Sequence, residues 1–183
     1  MNIGEPLKDL GSVDIAALQR SILGLEDRVW QEEQVRQQKY SEVHYNTESV
    51  LVVFCDHEDW PNIDVVKGKG WDRLAELSVP LMHGLIEQYY QAGGTIIRAM
   101  AAKLKAGKTI TPHTDNHPVY HAAHRIHVPI STNSKVRFMI NGRPHRLEVG
   151  KAYELNNQLR HGVINGGDED RITFIFDYIP GPA

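Results

Sequence analysis

The 183-residue sequence predicts a mainly β fold in which N-terminal helices pack on a β-barrel, and two observations carry that prediction. The first part of the chain has apolar residues at helical spacing, whereas the part from Thr95 onward consists of short apolar runs separated by turn residues. Helices that precede a series of strands indicate a β-rich core buttressed on one side by helices.

The N-terminal part is predicted to be largely helical. Apolar residues recur at helical spacing in three segments: Val13–Leu23, Glu26–Gln38 and Trp71–Gln91. Pro80 is expected to interrupt the last helix or to start it again, because proline lacks the backbone donor that a helix interior needs. A strand is predicted over Ser49–Phe54, followed by a loop over Asp56–Gly70.

The C-terminal part reads as a series of antiparallel strands. The predicted strands are Thr95–Leu104, Ile126–Ile130, Val136–Ile140, Arg146–Val149, Lys151–Leu155 and Ile172–Ile179. Asn141-Gly142 is predicted to form a two-residue hairpin turn. Such spacing is typical of a double-stranded β-helix, that is, a cupin-like jelly roll.

The length fits one compact domain over residues 1–183. Within it we expect a helical part with the first strand at 1–94 and the jelly-roll core at 95–180. The sequence has no linker rich in proline, serine or glycine and no internal repeat that would mark a boundary.

Composition excludes several classes of function. The net charge of −3 comes from mixed charges along the chain, so no basic patch indicates a nucleic-acid partner. The single cysteine, Cys55, excludes an intrachain disulfide and is interpreted as a buried strand residue in a reducing compartment. No segment has the apolar length of a membrane span, and we expect a cytoplasmic protein without a membrane partner.

Two histidines and one aspartate are the side chains of a candidate metal site. His113 and Asp115 are separated by one residue next to a predicted strand, so their side chains share one face of an extended segment. His161 follows a later strand-like segment and is the predicted third ligand. Two imidazoles and one carboxylate on one face of an octahedron are the arrangement of non-haem Fe(II) oxygenases.

An arginine on the last predicted strand makes this interpretation more specific. Arg171 follows His161 by ten residues, and its planar guanidinium can bind a carboxylate through two hydrogen bonds. Thr173, two residues further, faces the same side and adds a hydroxyl. A keto acid that chelates the metal at one end needs a cation for its distal carboxylate, which Arg171 is predicted to supply. The alternatives are a surface charge for Arg171 and a structural loop histidine for His161.

The chain resembles the aspartyl/asparaginyl β-hydroxylase family, which includes bacterial hydroxylases of free amino acids such as proline. The segments that carry the resemblance are Lys105–Asp115, Arg125–Ile130, Gly150–Leu155, His161–Asn165 and Arg171–Tyr178, with a weaker match at His44–Leu51.

The resemblance implies a role for each matching residue. His113, Asp115 and His161 match the iron positions, and Arg171 matches the arginine that holds the distal carboxylate of 2-oxoglutarate. His127 matches a histidine near the carboxylate on the metal side, with Arg125 beside it facing cosubstrate or substrate. Both residues share one face of a predicted strand, and an exposed barrel edge is the alternative.

Two positions depart from the best-known animal members. Those enzymes have glycine at the position of Asp115, so the site here resembles the complete three-ligand form. The carboxylate also argues against halogenation, because a halide needs the coordination position that Asp115 would occupy. The animal enzymes have a serine near the distal carboxylate where Ala102 falls here, so Thr173 or another group would supply that contact.

Other polar residues near the motifs have open roles. His117, His121 and His124 follow the metal motif and are expected either in a loop over the active site or, alternatively, at an extra metal site. His44, Thr47 and Ser49 are candidates for substrate contact by family position only, and ordinary strand residues are equally compatible with the sequence.

The sequence therefore predicts an Fe(II)- and 2-oxoglutarate-dependent dioxygenase. Its expected partners are dioxygen and an amino acid substrate, either free or within a peptide. Two alternatives remain: a non-oxidative cupin-type metalloenzyme, which gives no role to Arg171 and Thr173, and a non-catalytic β-sandwich binding module.

Overall fold

A computed structural model describes residues 1–33, 41–56 and 60–182 of the chain. Within them, antiparallel strands form two sheets that face each other across an apolar core, and helices cover the outer face of the larger sheet. The predicted mainly β jelly roll with N-terminal helices is confirmed.

The larger sheet has seven strands in the spatial order β1-β9-β6-β11-β4-β2-β3. Their bounds are β1 Leu7–Ser12, β2 Thr47–Asp56, β3 Asp64–Lys67, β4 Thr95–Leu104, β6 His124–Ser131, β9 Lys151–Leu155 and β11 Arg171–Ile179.

The smaller sheet has four strands in the order β5-β10-β7-β8. Their bounds are β5 Thr109–His113, β7 Val136–Ile140, β8 Arg143–His145 and β10 His161–Asn165. Asn141 and Gly142, at φ 48° and 74°, make the predicted two-residue turn between β7 and β8. Positive φ at both central positions is the geometry that twists a hairpin correctly.

The helices in the described part are short except for one. Their bounds are α1 Ala16–Leu23, α2 Asp27–Gln31, α3 Ser41–His44, α4 Trp71–Tyr89 and α5 Pro118–Ala122. The buried residues Leu74, Met82 and Leu85 of α4 follow helical spacing and join the core against the larger sheet.

Strand β11 shows how the two layers meet. Phe174 and Phe176 lie on the face of the larger sheet that packs against the helices. Arg171, Ile175 and Asp177 occupy the alternate positions, which face the smaller sheet. Because both faces are covered, β11 is almost fully buried along its length. Its inward face carries the polar residues that line the interior of the barrel.

Several predicted elements differ from the structure. The predicted loop Asp56–Gly70 contains β3, whose short, wholly exposed sequence has no buried face to produce an alternating pattern. The strand predicted at Arg146–Val149 is wrong, because the tight turn pairs Arg143 with Ile140 and the strand ends at His145.

The N-terminal part also differs from expectation. It contributes three strands, β1, β2 and β3, where the sequence predicted one. Helix α4 continues through Pro80 without interruption. Pro80 is exposed, so the missing donor lies on the side of the helix that faces water. The helix predicted over Glu26–Gln38 ends at Gln31 as α2, and its segment 34–38 lies outside the described residues.

Candidate metal centre

The two candidate ligand histidines lie side by side on neighbouring strands of the smaller sheet. His113 ends β5, His161 begins β10, and the two residues are direct partners in the antiparallel register. Gly162 permits this close approach, because a Cβ atom there would lie 2.8 Å from the carbonyl oxygen of Ile110 on β5. The imidazole centroids are 4.5 Å apart, so both rings can reach one ion.

Backbone carbonyls hold both rings in the same tautomer. The Nδ1 atom of His113 donates to the carbonyl oxygen of Thr111, and that of His161 donates to Leu159, each at 2.8 Å. A carbonyl can only accept, so the proton is on Nδ1, and the Nε2 atom of each ring carries the lone pair that can bind a metal. Burial lowers the pKa of His161 to about 4, which keeps this ring neutral and able to coordinate at neutral pH.

Asp115 reaches the same point from the loop after β5. Its backbone NH donates to the carbonyl oxygen of Asn157 at 3.2 Å, which ties this loop to the one before β10. Its carboxylate lies 3.8 Å from Nε2 of His161. Burial would raise the pKa of Asp115, but the Arg125 guanidinium holds it below its usual value, so the carboxylate is ionised.

Together these three residues offer a metal site of defined donor chemistry. One ligand atom from each of His113, Asp115 and His161 lies within 4.8 Å of the others. Two neutral imidazoles and one carboxylate suit Fe(II) and similar divalent metals, and donors from one side leave coordination positions open. No other group of this kind occurs in the part of the chain that the structure describes.

The cluster opens into a cavity of about 310 Å³ inside the barrel. Its wall combines apolar side chains from both sheets with three buried arginines. The lining residues include Thr47, Arg98, Ala102, Leu104, Tyr120, Arg125, His127, Phe138 and Arg171. This volume is at the lower end for small-molecule sites.

Arg171 lies in the wall of this cavity. It is 4% exposed, and Nη2 makes no hydrogen bond within the described residues. Its guanidinium carbon lies 5.8 Å from the centroid of Phe138. Burial lowers the pKa of Arg171 to about 10, and no carboxylate in the described residues forms an ion pair with it. A buried cation without a partner anion is a strong site for one.

Hydroxyl groups stand beside Arg171 on the inward face. Thr173, Ala102 and Ser49 are opposite one another across β11, β4 and β2. All three are buried, and the Thr173 hydroxyl has no hydrogen-bond partner among the described residues. Thr173 and Ser49 thus flank Ala102 on its two sides, although Ala102 alone of the three reaches the cavity wall.

Arg125 and His127 lie on β6, which runs between β11 and β9, so the alternative of an exposed edge is wrong. His127 packs edge-on against Phe138 at 5.4 Å. The guanidinium of Arg125 is shared between two carboxylates. It forms two hydrogen bonds with Asp177, at 2.7 and 2.9 Å, and a further one with Asp115.

Comparison with known proteins identifies the relatives of this chain. The family described as aspartyl/asparaginyl β-hydroxylase matches residues 19–180, which is most of the sequence. The chain belongs to the aspartyl/asparaginyl β-hydroxylase family. The resemblance predicted from the motifs is therefore confirmed, and an oxygenase of the hydroxylase type follows from family membership. No curated protein sequence matches the chain.

Solved structures share the fold of this β-hydroxylase family member. An oxidoreductase of the 2OG-Fe(II) oxygenase family from Burkholderia pseudomallei is 12% identical, with a TM-score of 0.55 over 74% of this chain and 69% of that one. The non-haem monooxygenase ThoJ, in complex with nickel, is 13% identical, with a TM-score of 0.57 over 94% of this chain and 72% of that one. At these identities the likeness concerns the fold.

In the described part of the β-hydroxylase family member, no helix is both long and apolar enough to cross a bilayer.

The remaining predicted residues fall into two groups. His44 and Thr47 line the cavity, and the His44 ring lies edge-on to His113 at 5.7 Å. His117 also lines it and caps α5 by accepting a hydrogen bond from the backbone NH of Val119. His121 is exposed.

His124 lies away from the cavity and contacts Glu154 at 2.5 Å. Since His117, His121 and His124 do not converge, the alternative of an extra metal site among them is wrong.

Three residues of the site were not found from the sequence of this β-hydroxylase family member. Arg98 and Tyr120, the latter on α5, line the cavity, and Asp177 is the direct partner of Arg98 across β4 and β11. Arg98 and Asp177 occupy inward positions of strands that are mostly apolar. A charged residue at a position where the alternation predicts burial was the available signal.

Proposed function

We propose that this chain is an Fe(II)- and 2-oxoglutarate-dependent dioxygenase that hydroxylates an amino acid side chain, either in a free amino acid or in an Asp/Asn-type residue of a peptide. The observation that carries the proposal is the buried Arg171, which has no acidic partner among the described residues and lies in the same cavity as the three-ligand cluster. A cation and a metal in one cavity suit a ligand with a carboxylate at one end and a chelating group at the other.

The residues present fit both groups. His113 and His161 would hold iron through Nε2 and Asp115 through its carboxylate, because these donors converge and carry lone pairs. Arg171 would receive the distal carboxylate of 2-oxoglutarate, with the Thr173 hydroxyl close by on the same face. When bound, iron(II) and 2-oxoglutarate activate dioxygen for insertion of an oxygen atom into a C–H bond.

The protein's own part is positioning. Carbonyls of Thr111 and Leu159 fix the two imidazoles, so the donor atoms do not reorganise when the metal binds. Phe138 and Leu104 form an apolar section of wall that excludes water near Arg171, which strengthens its attraction for an anion. No side chain is needed as a general base for the keto acid to bind.

The test is an anaerobic titration with Fe(II), with and without 2-oxoglutarate, in wild type and Arg171→Met. Chelation of iron by a 2-keto acid gives a visible charge-transfer band. We expect the band in wild type, and a band in the variant only at 2-oxoglutarate concentrations on the order of 100-fold higher, since a buried ionic hydrogen-bonded contact is lost. Arg143→Met, an exposed arginine on β8, is the matched control and should behave as wild type.

Absence of a band in wild type at saturating iron and 2-oxoglutarate would contradict the proposal. It would favour a non-oxidative cupin-type metalloenzyme, which uses the three ligands but not Arg171.

A further inference from the structure

Arg98 is one of the three buried arginines in the cavity wall, and the proposed chemistry at Arg171 and the metal leaves it without a role. Its side chain is 8% exposed. Nη2 donates to the hydroxyl of Tyr120, whereas Nε makes no hydrogen bond within the described residues and lies 3.8 Å from Asp177. Its guanidinium therefore has hydrogen-bonding capacity left inside the site.

Arg125, the arginine nearest the metal ligands, already forms hydrogen bonds with two carboxylates. Asp177 occupies one edge of its fork through Nε and Nη2, and Asp115 binds Nη1 on the other side. Arg125 therefore fixes a metal ligand and has no free edge for a substrate carboxylate. Arg98 lines the same cavity and shares Asp177 with Arg125, but within the described residues it forms no hydrogen bond or ion pair with a metal ligand.

The charges in the cavity are not balanced. Arg98 and Arg125 are balanced by Asp177 and Asp115, whereas Arg171 has no acidic partner among the described residues. The distal carboxylate of 2-oxoglutarate would balance Arg171, and its metal-side carboxylate would balance one of the two charges of a divalent metal, so one positive charge would remain at the metal end. A buried excess charge favours a further anion.

The backbones of Arg98 and Arg171 lie far apart along the larger sheet. Arg98 is opposite Asp177 on β11, six residues from Arg171 along the same strand, and six residues of strand separate Cα atoms by about 20 Å. With one carboxylate at the metal, 2-oxoglutarate has only one other carboxylate, which the proposed function assigns to Arg171. The two arginines therefore serve different ends of the cavity.

We propose that Arg98, together with the Tyr120 hydroxyl, binds a carboxylate of the primary substrate. This rests on the proposed function for the assignment of Arg171 to the cosubstrate. The carboxylate comes either from C-1 of a free amino acid or from an acidic side chain. Tyr120 supports the site because its ring lies 5.1 Å from the Arg98 guanidinium carbon and 4.9 Å from that of Arg125, and it holds both planes in place.

The test is binding of free L-amino acids to the anaerobic protein with Fe(II) and 2-oxoglutarate, measured by calorimetry. Each amino acid is compared with its α-carboxamide, and the acidic amino acids also with their side-chain amides. The proteins are wild type, Arg98→Met, Arg98→Lys and the control Arg143→Met. The visible band of the chelate is recorded for each protein as a check on the metal and cosubstrate sites.

We expect at least one amino acid to bind wild type and one of its amides to bind at least about tenfold more weakly, since a buried hydrogen-bonding site rejects a ligand without the matching group. Arg98→Met should erase the difference, Arg98→Lys should restore part of it, and both should keep the band. Weaker binding of the α-carboxamide assigns the recognised carboxylate to C-1. Weaker binding of the side-chain amide assigns it to the side chain.

Equal binding of acid and amide in wild type, retained discrimination in Arg98→Met, or no binding by any amino acid would overturn the inference. A wild-type protein that discriminates through Arg98 but gives no band would contradict the dioxygenase and keep the carboxylate site.

Discussion

The two ends of the cavity differ in how their charges are matched. At the metal end, Arg98, Asp177, Arg125 and Asp115 alternate in sign and contact one another in a chain. At the other end Arg171 is equally buried but has no acidic partner among the described residues.

This difference indicates two kinds of preparation for ligands. The alternating charges hold Asp115 in place before a metal binds, so that end is organised by the protein alone. Arg171 carries an unbalanced charge whose burial costs stability until an anion arrives. Such a cost is typical of a binding site and not of a structural ion pair.

The largest expected effect on stability is at the metal end of the cavity, where the charges are balanced. Asp177→Asn removes the carboxylate that Arg98 and Arg125 share. Breaking a buried pair on one side costs about 3–5 kcal/mol, which predicts a Tm lower by about 10 °C. Thermal unfolding of the metal-free protein measures it, with the exposed Asp64→Asn on β3 as control. A Tm unchanged from wild type would show that the chain of charges is not structural.

The effect at the other end is expected to have the opposite sign. Arg171→Met removes a cation whose pKa burial lowers from its usual value to about 10. This lowering corresponds to a free energy on the order of 3 kcal/mol, so the metal-free variant should be more stable than wild type. Chemical denaturation compares it with Arg143→Met. If Arg171→Met were less stable than wild type while Arg143→Met was not, Arg171 would have a structural partner. The two ends of the cavity would then not differ in charge balance.

The pH dependence of stability sharpens the description of the metal end. The pKa of His161 is about 4 in the folded protein and near 6.5 in an unfolded chain, so the unfolded state binds the proton more tightly. Below pH 6.5 stability should therefore fall, by about 2 kcal/mol between pH 7.5 and 5. The fall should be smaller in His161→Gln. Denaturation curves of metal-free wild type and His161→Gln at both pH values test this. An equal loss of stability in the two proteins between pH 7.5 and 5 would contradict it.

The smallest effect concerns the hydroxyl beside Arg171. Thr173→Val replaces a buried hydroxyl that has no partner in the described residues with a methyl group of the same shape. We expect a gain of about 1 kcal/mol in the free energy of unfolding of the metal-free protein. Thr95→Val, at an exposed position of β4, controls for the substitution itself. A loss of stability would indicate that the hydroxyl has a structural role.

Periodicity and turn chemistry predicted much of the barrel. The bounds of β4, β7 and β9 match those expected from sequence, because their apolar runs end at turn residues such as Asn141-Gly142. Strand β3 was missed because nothing covers it and no alternation appears. Strand β10 was missed because its sequence, His161–Asn165, mixes polar and small residues that tertiary contacts bury.

The candidate site was partly predictable for a similar reason. Motif spacing brought together His113, Asp115 and His161, which the structure places around one point. The ion pairs of Arg125 could not be foreseen, because Asp177 lies on a strand that is distant in sequence and adjacent only after folding. The contribution of Arg98 to the cavity depends on the same pairing of strands.

The most direct test of the two-ended cavity compares two keto acids. Anaerobic Fe(II)-loaded wild type and Arg171→Met are titrated by calorimetry with 2-oxoglutarate and with 2-oxobutyrate, which lacks the distal carboxylate. We predict that wild type prefers 2-oxoglutarate by on the order of 100-fold and that Arg171→Met loses this preference through weaker 2-oxoglutarate binding alone. A preference that persists in the variant, or its absence in wild type, would contradict the assignment of Arg171 to the cosubstrate.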